Sequence, residues 1–190
     1  MEQKRNQYTT ENAVGVVQAV RSGSGLLVDK SIIAVTLDNI SNECLTDDNG
    51  IDLLKSTSDG PKHCTEEDII WAAETFISVV VPHILGGGTK QELVCIDSRN
   101  GNSQPLRQFA PIWDLYLHCT EMPFAVFDED ACRIALNSGR HRTRAAQVVG
   151  IETLPMQARS REEIEDAIDN EHLNYTSVEA YFSKLGTLIQ

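Results

Sequence analysis

Paired cysteines are missing from this 190-residue chain. The five it has, Cys44, Cys64, Cys95, Cys119 and Cys132, are odd in number, widely spaced and never arranged as C-x-x-C. That excludes a disulfide framework and a zinc ribbon. His63-Cys64 and His118-Cys119 are too isolated to make a zinc quartet. Basic residues are in the minority, 16 Lys and Arg against 28 Asp and Glu, for a net charge of −12. Proteins that grip duplex DNA by general phosphate neutralisation are basic overall, so any nucleic-acid contact must be local. No apolar run approaches the roughly twenty residues of a membrane span. The opening Met1-Glu2-Gln3-Lys4-Arg5-Asn6-Gln7-Tyr8 lacks the apolar stretch of a secretory signal. The expectation is a cytoplasmic protein in a reducing compartment, with no membrane insertion. Repeats and low-complexity tracts are absent too. What is present is ordinary: 41% apolar and 23% charged residues, near the globular average. A chain of this length buries roughly 70% of its unfolded surface and needs neither disulfide nor metal to fold.

Residues 13–20 are rich in β-branched side chains and read as a strand. Ser22-Gly23-Ser24-Gly25 breaks the chain, and residues 26–28 and 32–37 around Asp29-Lys30 suggest a hairpin. Residues 38–60 are polar and acidic, a loop with one short helix at 51–55. Thr65-Glu66-Glu67-Asp68 supplies an N-cap hydroxyl and early acids for a helix over 69–81, which Pro82 stops. Gly86-Gly87-Gly88-Thr89-Lys90 lacks the G-x-x-x-x-G-K-[ST] spacing of a phosphate loop and reads as a linker. A strand at 93–96 follows, then a helix at 111–119. Trp71 and Trp113 fall in helical patterns and are expected in the core. Residues 124–127 and 132–136 form a hairpin around Glu129-Asp130, where acids are common for local reasons. A helix from Gly139 to Val149 is closed by Gly150. A strand at 154–158 and helices at 161–173 and 177–185 complete a mixed α/β fold.

Acids vanish between Ala131 and Ile151, while Arg133, Arg140, Arg142, Arg144 and His141 all lie there. Within that stretch Asn137-Ser138-Gly139-Arg140-His141-Arg142-Thr143 runs from a strand into the first turn of a helix. Glycine lets backbone approach a ligand closely, and first-turn N–H groups with the helix dipole favour an anion. Arg142 can offer a bidentate fork to phosphate oxygens. The helix start also favours a neutral His141 imidazole, able to accept a proton. The bland alternative is a solvated basic helix start that pairs with the acidic helix 162–171.

Gly139-Arg140-His141-Arg142-Thr143-Arg144-Ala145-Ala146, followed by Gly150-Ile151-Glu152-Thr153-Leu154-Pro155, resembles the signature of the ParB/sulfiredoxin superfamily. Partition proteins of that family read G-E-R-R-x-R-A-A, and sulfiredoxins read G-C-H-R. Gln104-Pro105-Leu106-Arg107-Gln108-Phe109 is similar to the P-x-R-x-x-F opening of partition proteins, one residue shorter. Ile168-Asp169-Asn170, Leu173-Asn174 and Val178-Glu179-Ala180 are similar to their I-E-N…L-N…E-E-A stretch. The resemblance covers residues 91–182. It implies a ParB/sulfiredoxin-like core there, with residues 1–90 as a strand-hairpin-helix elaboration of the same domain.

Arg140 stands where sulfiredoxins carry their cysteine. A guanidinium cannot act as a thiolate nucleophile, which excludes sulfinic-acid reduction. It also replaces the acid of G-E-R-R, and no helix-turn-helix follows, which argues against a CTP clamp that binds centromeres. The size, the acidity and the lone core resemble the oncogenic-suppression family of plasmid fertility-inhibition factors. That resemblance implies suppression of conjugative or T-DNA transfer through a type IV secretion system, with hydrolysis of ATP or another nucleotide and sequence-neutral DNase activity.

The implied phosphate site is Ser138, Gly139, Arg140, His141, Arg142 and Thr143 with Arg107. His141 and Arg142 would be catalytic, and Arg133, Arg140 and Arg144 would steer a single strand of DNA. Mg²⁺ is the expected metal, with Asp169 and Asn170 as candidate ligands. A conjugation coupling or secretion component is the expected partner, which could hold the protein peripherally at the inner membrane. Four arginines imply a slope of log affinity against log salt of about −3 for single-stranded DNA. The rival expectation is a non-enzymatic module whose acidic 38–74 surface docks on a basic secretion component.

Overall fold

Ile32-Ile33-Ala34-Val35 is apolar at every position, the pattern of a strand covered on both faces rather than one. In the computed structural model this segment is β1 (Ser31–Thr36), and only Thr36 in it is exposed. The structure describes residues 10–24, 30–55, 82–83, 86–88, 122–148 and 150–189. Among them the order is α1 (Thr10–Ser24), β1, two 3₁₀ turns (Leu37–Asn39 and Asn42–Leu45), β2 (Phe124–Asp128), β3 (Arg133–Ser138), α2 (Arg140–Val148), β4 (Thr153–Ala158), α3 (Arg161–Asp169), α4 (Val178–Leu185) and β5 (Thr187–Leu188). The fold is mixed α/β.

One five-stranded mixed sheet runs β3-β2-β4-β1-β5. β1 pairs antiparallel with β4 along its whole length, from Ser31↔Ala158 to Thr36↔Thr153, and with β5 on its other edge. β2 and β3 form the antiparallel hairpin that the turn residues foretold. The parallel β2–β4 junction is a single pair, Phe124↔Gln157. Its brevity follows from Pro155. The Gln157 N–H points at β2 and donates to the Pro123 carbonyl (2.8 Å). Two residues back Pro155 faces the same way and has no N–H to give, so the ladder cannot continue.

The first expected strand is a correction. Residues 13–20 lie in helix α1, because Ala13, Val16 and Val17 recur at helical spacing and are fully buried. Packing of that face against the sheet overrides the β-propensity of its valines. Over the described residues the N-terminal part therefore reads helix then strand, and β1 sits inside the sheet rather than on it as a separate layer. Both edges of β1 are taken by β4 and β5, while the expected hairpin partner at 26–28 lies outside the described residues. Residues 51–55 are likewise no helix: Thr46 bridges Asp52, and a turn follows. Pro82 and His83 are themselves helical, and their carbonyls accept from the Gly86 and Gly88 N–H groups. The 65–81 helix, the 93–96 strand, the 111–119 helix, Trp71 and Trp113 all lie outside the described residues.

The later elements match their signals more closely. Gly150 sits at φ +79, and the Ile151 N–H reaches back to the Ala146 carbonyl (3.0 Å), closing α2 as expected. Ser160 and Glu163 form a reciprocal capping box at the start of α3. That helix ends at Asp169, four residues before the expected 173. Glu171 takes the left-handed C-terminal position (φ +59), and the His172 N–H bonds the Ala167 carbonyl (2.8 Å). The short β5 had no signal of its own. Tyr181, Phe182 and Leu185 of α4, Ile164 of α3 and the buried face of α1 close the core around β1 and β4.

Candidate phosphate-binding turn

Gly139 joins β3 to α2 at φ +80, a conformation that L side chains rarely adopt. A Cβ there would lie 2.7 Å from both Cα and Cβ of Pro123, so the position excludes side chains twice over. Helix α2 begins at the next residue, and the Thr143 N–H donates to the Gly139 carbonyl (2.9 Å). The earlier N–H groups of that turn have no intrahelical acceptor. This is the strand-to-helix turn read from the sequence, with Asn137 and Ser138 exposed beside it.

The side chains divide by face. Thr143, Ala145 and Ala146 are buried. Arg140, Arg144 and Gln147, at i, i+4 and i+7, all reach the segment that leaves β1. Arg140 donates from Nε to the Cys44 carbonyl (2.8 Å) and from Nη2 to the Thr46 carbonyl (2.5 Å). Arg144 donates from Nε and Nη2 to Asp52 Oδ2 (3.0 and 2.6 Å), and Gln147 donates to the Leu37 carbonyl (2.9 Å). Burial raises the Asp52 pKa, but hydrogen bonds from Arg144 and the Leu54 N–H, with the charges of Arg144 and Lys55, outweigh it and hold the carboxyl below 3.8. Two arginines assigned to DNA by sequence thus hold an acidic segment of the same chain.

Arg142 differs. It is half-buried, and its enclosed Nη1 has no hydrogen-bond partner among the described residues. An unanswered guanidinium nitrogen is a charged donor without its acceptor. His141 is half-buried beside it in the chain. Thr143, grouped with them by sequence, is fully enclosed, and its N–H is spent on Gly139. Arg133 lies at the opposite end of β3, about 20 Å from Gly139 at roughly 3.3 Å per residue. Arg107 lies outside the described residues.

Among the described residues no three His, Cys, Asp or Glu side chains gather as a metal-holding group. Asp169 is exposed, and the Asn170 amide caps α3 by donating to the Asp166 carbonyl (2.7 Å). Asp128 accepts the Ala131 N–H of its own loop (3.1 Å). Among the described residues no helix is long and apolar enough to cross a membrane.

The partnership between α2 and residues 37–55 escaped sequence reading. Its only signal was complementary charge, an acid-free stretch at 131–151 and an acid-rich one at 38–60. Comparisons with family models, curated proteins and solved structures return no match.

Proposed function

We propose that residues 137–143 bind the phosphate of a nucleotide or of a DNA backbone, and that the chain is a fertility-inhibition factor of the oncogenic-suppression kind. The observation that carries this reading is the enclosed Arg142 Nη1, unpartnered among the described residues, beside the first-turn N–H groups of α2. Ser138 and the Gly139 backbone would cradle phosphate oxygens, and Arg142 would hold the charge that grows in hydrolysis. His141 would take a proton from the attacking water as its oxygen bonds phosphorus and the bridging P–O bond breaks. Any Mg²⁺ would come with the nucleotide, which often supplies most of such an ion's ligands. Contact with single-stranded DNA would be sequence-neutral, since phosphate contacts carry no base code. The protein would act in the cytoplasm, at a coupling or secretion component.

A second reading has its own observation. Arg140 and Arg144 are spent on residues 44–52, which shrinks the DNA-facing patch and leaves Asp38, Glu43 and Asp48 exposed on the held segment. That acidic surface would suit docking on a basic secretion component without catalysis. Mating assays separate the two. Wild type expressed in donor cells should suppress plasmid transfer, and Arg142→Ala should restore it. Full suppression by Arg142→Ala would favour docking, and no suppression by wild type would end both readings.

A further inference from the structure

At the other end of β3, away from the turn, the β2–β3 hairpin, the first 3₁₀ turn and the last turn of α4 line an open-sided cavity of about 440 Å³. Pockets that take small molecules run from roughly 300 to 1,000 Å³. Two cations from distant parts of the chain line it, Arg133 and Lys184. Among the described residues neither makes a side-chain hydrogen bond or ion pair, although the protein carries a net charge of −12. Two uncommitted cations converging on one cavity in so acidic a chain are a receptor for negative charge.

The remaining wall narrows the class. Phe127 offers a ring, held edge-on against Tyr175 with centroids 6.4 Å apart, and Ile134 is buried. Asp38 and Asn39 supply a carboxylate and an amide, acceptors for hydroxyl or amino groups. We infer that this cavity binds a nucleoside monophosphate. A phosphate monoester carries three free oxygens, enough to meet Arg133 and Lys184 at once, while Asp38 in the same wall leaves the lining at a net charge of +1. The flat base covers the Phe127 ring, and the sugar hydroxyls meet Asp38 and Asn39. The site is separate from the Gly139 turn, and the inference does not depend on that reading. It gives Arg133 a small anion in place of a DNA strand.

Cys132, an exposed free thiol in the same wall, reports on occupancy. The test measures its alkylation by iodoacetamide, mapped by peptide mass spectrometry, with AMP titrated in magnesium-free buffer. Protection should reach about tenfold when AMP stands at about ten times its Kd. Arg133→Gln and Lys184→Gln, both at exposed positions, should each weaken AMP binding by about tenfold or more. Arg142→Ala should leave protection intact. The inference falls if AMP fails to slow alkylation or if both Gln variants bind AMP as wild type does. It falls equally if Arg142→Ala abolishes protection, which would place AMP at the turn. Protection by inorganic phosphate as strong as that by AMP would overturn the nucleoside assignment.

Discussion

Arg144 on α2 and Asp52, 92 residues earlier, are joined through a single carboxylate oxygen, Oδ2, which accepts from both Nε and Nη2. Both side chains keep some solvent access, 30% for Arg144 and 24% for Asp52, so the pair is neither a loose surface contact nor a buried charge. It fixes the segment carrying Leu45 and Leu53, both of them buried, against the helix that begins at the turn.

Asp52→Asn should therefore cost about 1 kcal/mol of stability at neutral pH, read from urea unfolding. The folded Asp52 pKa lies below its ordinary value of 3.8. Its contribution is fully present above about 3.8 and is lost as pH falls through the lower folded value. The variant should accordingly lose less stability than wild type on acidification. Equal stability at neutral pH with an unchanged acid limb would show that the pair does no work.

Gly139→Ala should destabilise the protein by about 2 kcal/mol or more, because the positive φ and the approach to Pro123 both oppose a Cβ. Thermal unfolding measures it. A variant as stable as wild type would mean that the turn is not built as described.

The Tyr175 phenol is pushed up to about 12, first by burial and then by the nearby charge of Glu129. A raised folded value means that the neutral phenol favours the fold. That stability is present below the ordinary value of 10.0 and disappears as pH climbs through about 12. Ultraviolet titration of tyrosinate should show Tyr175 ionising late, and Glu129→Gln should bring it earlier. Titration of all four tyrosines near the ordinary value would contradict this account.

The hairpin, α2 and β4 were legible because their signals are local. Glu129-Asp130 marks one turn and Gly150 another, each within a few residues of the element it ends. Helix α1 was not, since Val16 and Val17 carry β-propensity, and only their burial against the sheet reveals the helical period. The end of α3 was hidden for a related reason, because Glu171 occupies the left-handed position where a glycine would have announced the stop. At the candidate site, glycine, strand and helix could be read directly. The fates of Arg140 and Arg144 could not, because their partners stand more than ninety residues away.

Those fates change the expected salt dependence. Arg140 and Arg144 are committed, and Arg133 stands at the far end of its strand, which leaves Arg142, of these four, to meet a backbone phosphate. The slope of log affinity against log salt for single-stranded DNA should be about −0.7 rather than −3. Fluorescence anisotropy across a salt series measures it. A slope of −3 or steeper would mean that the pairs to Asp52 and the Cys44 carbonyl open on binding.

Phosphate chemistry at the turn is tested most directly by hydrolysis of ATP and single-stranded DNA, with magnesium, by purified wild type and Arg142→Ala. The account predicts turnover by wild type and a loss of about a hundredfold in the variant, the usual consequence of removing one donor that stabilises developing charge. Arg142→Ala should remain folded, since its Nη1 has no hydrogen bond among the described residues to lose. Equal rates for the two proteins, or no hydrolysis by wild type, would contradict it.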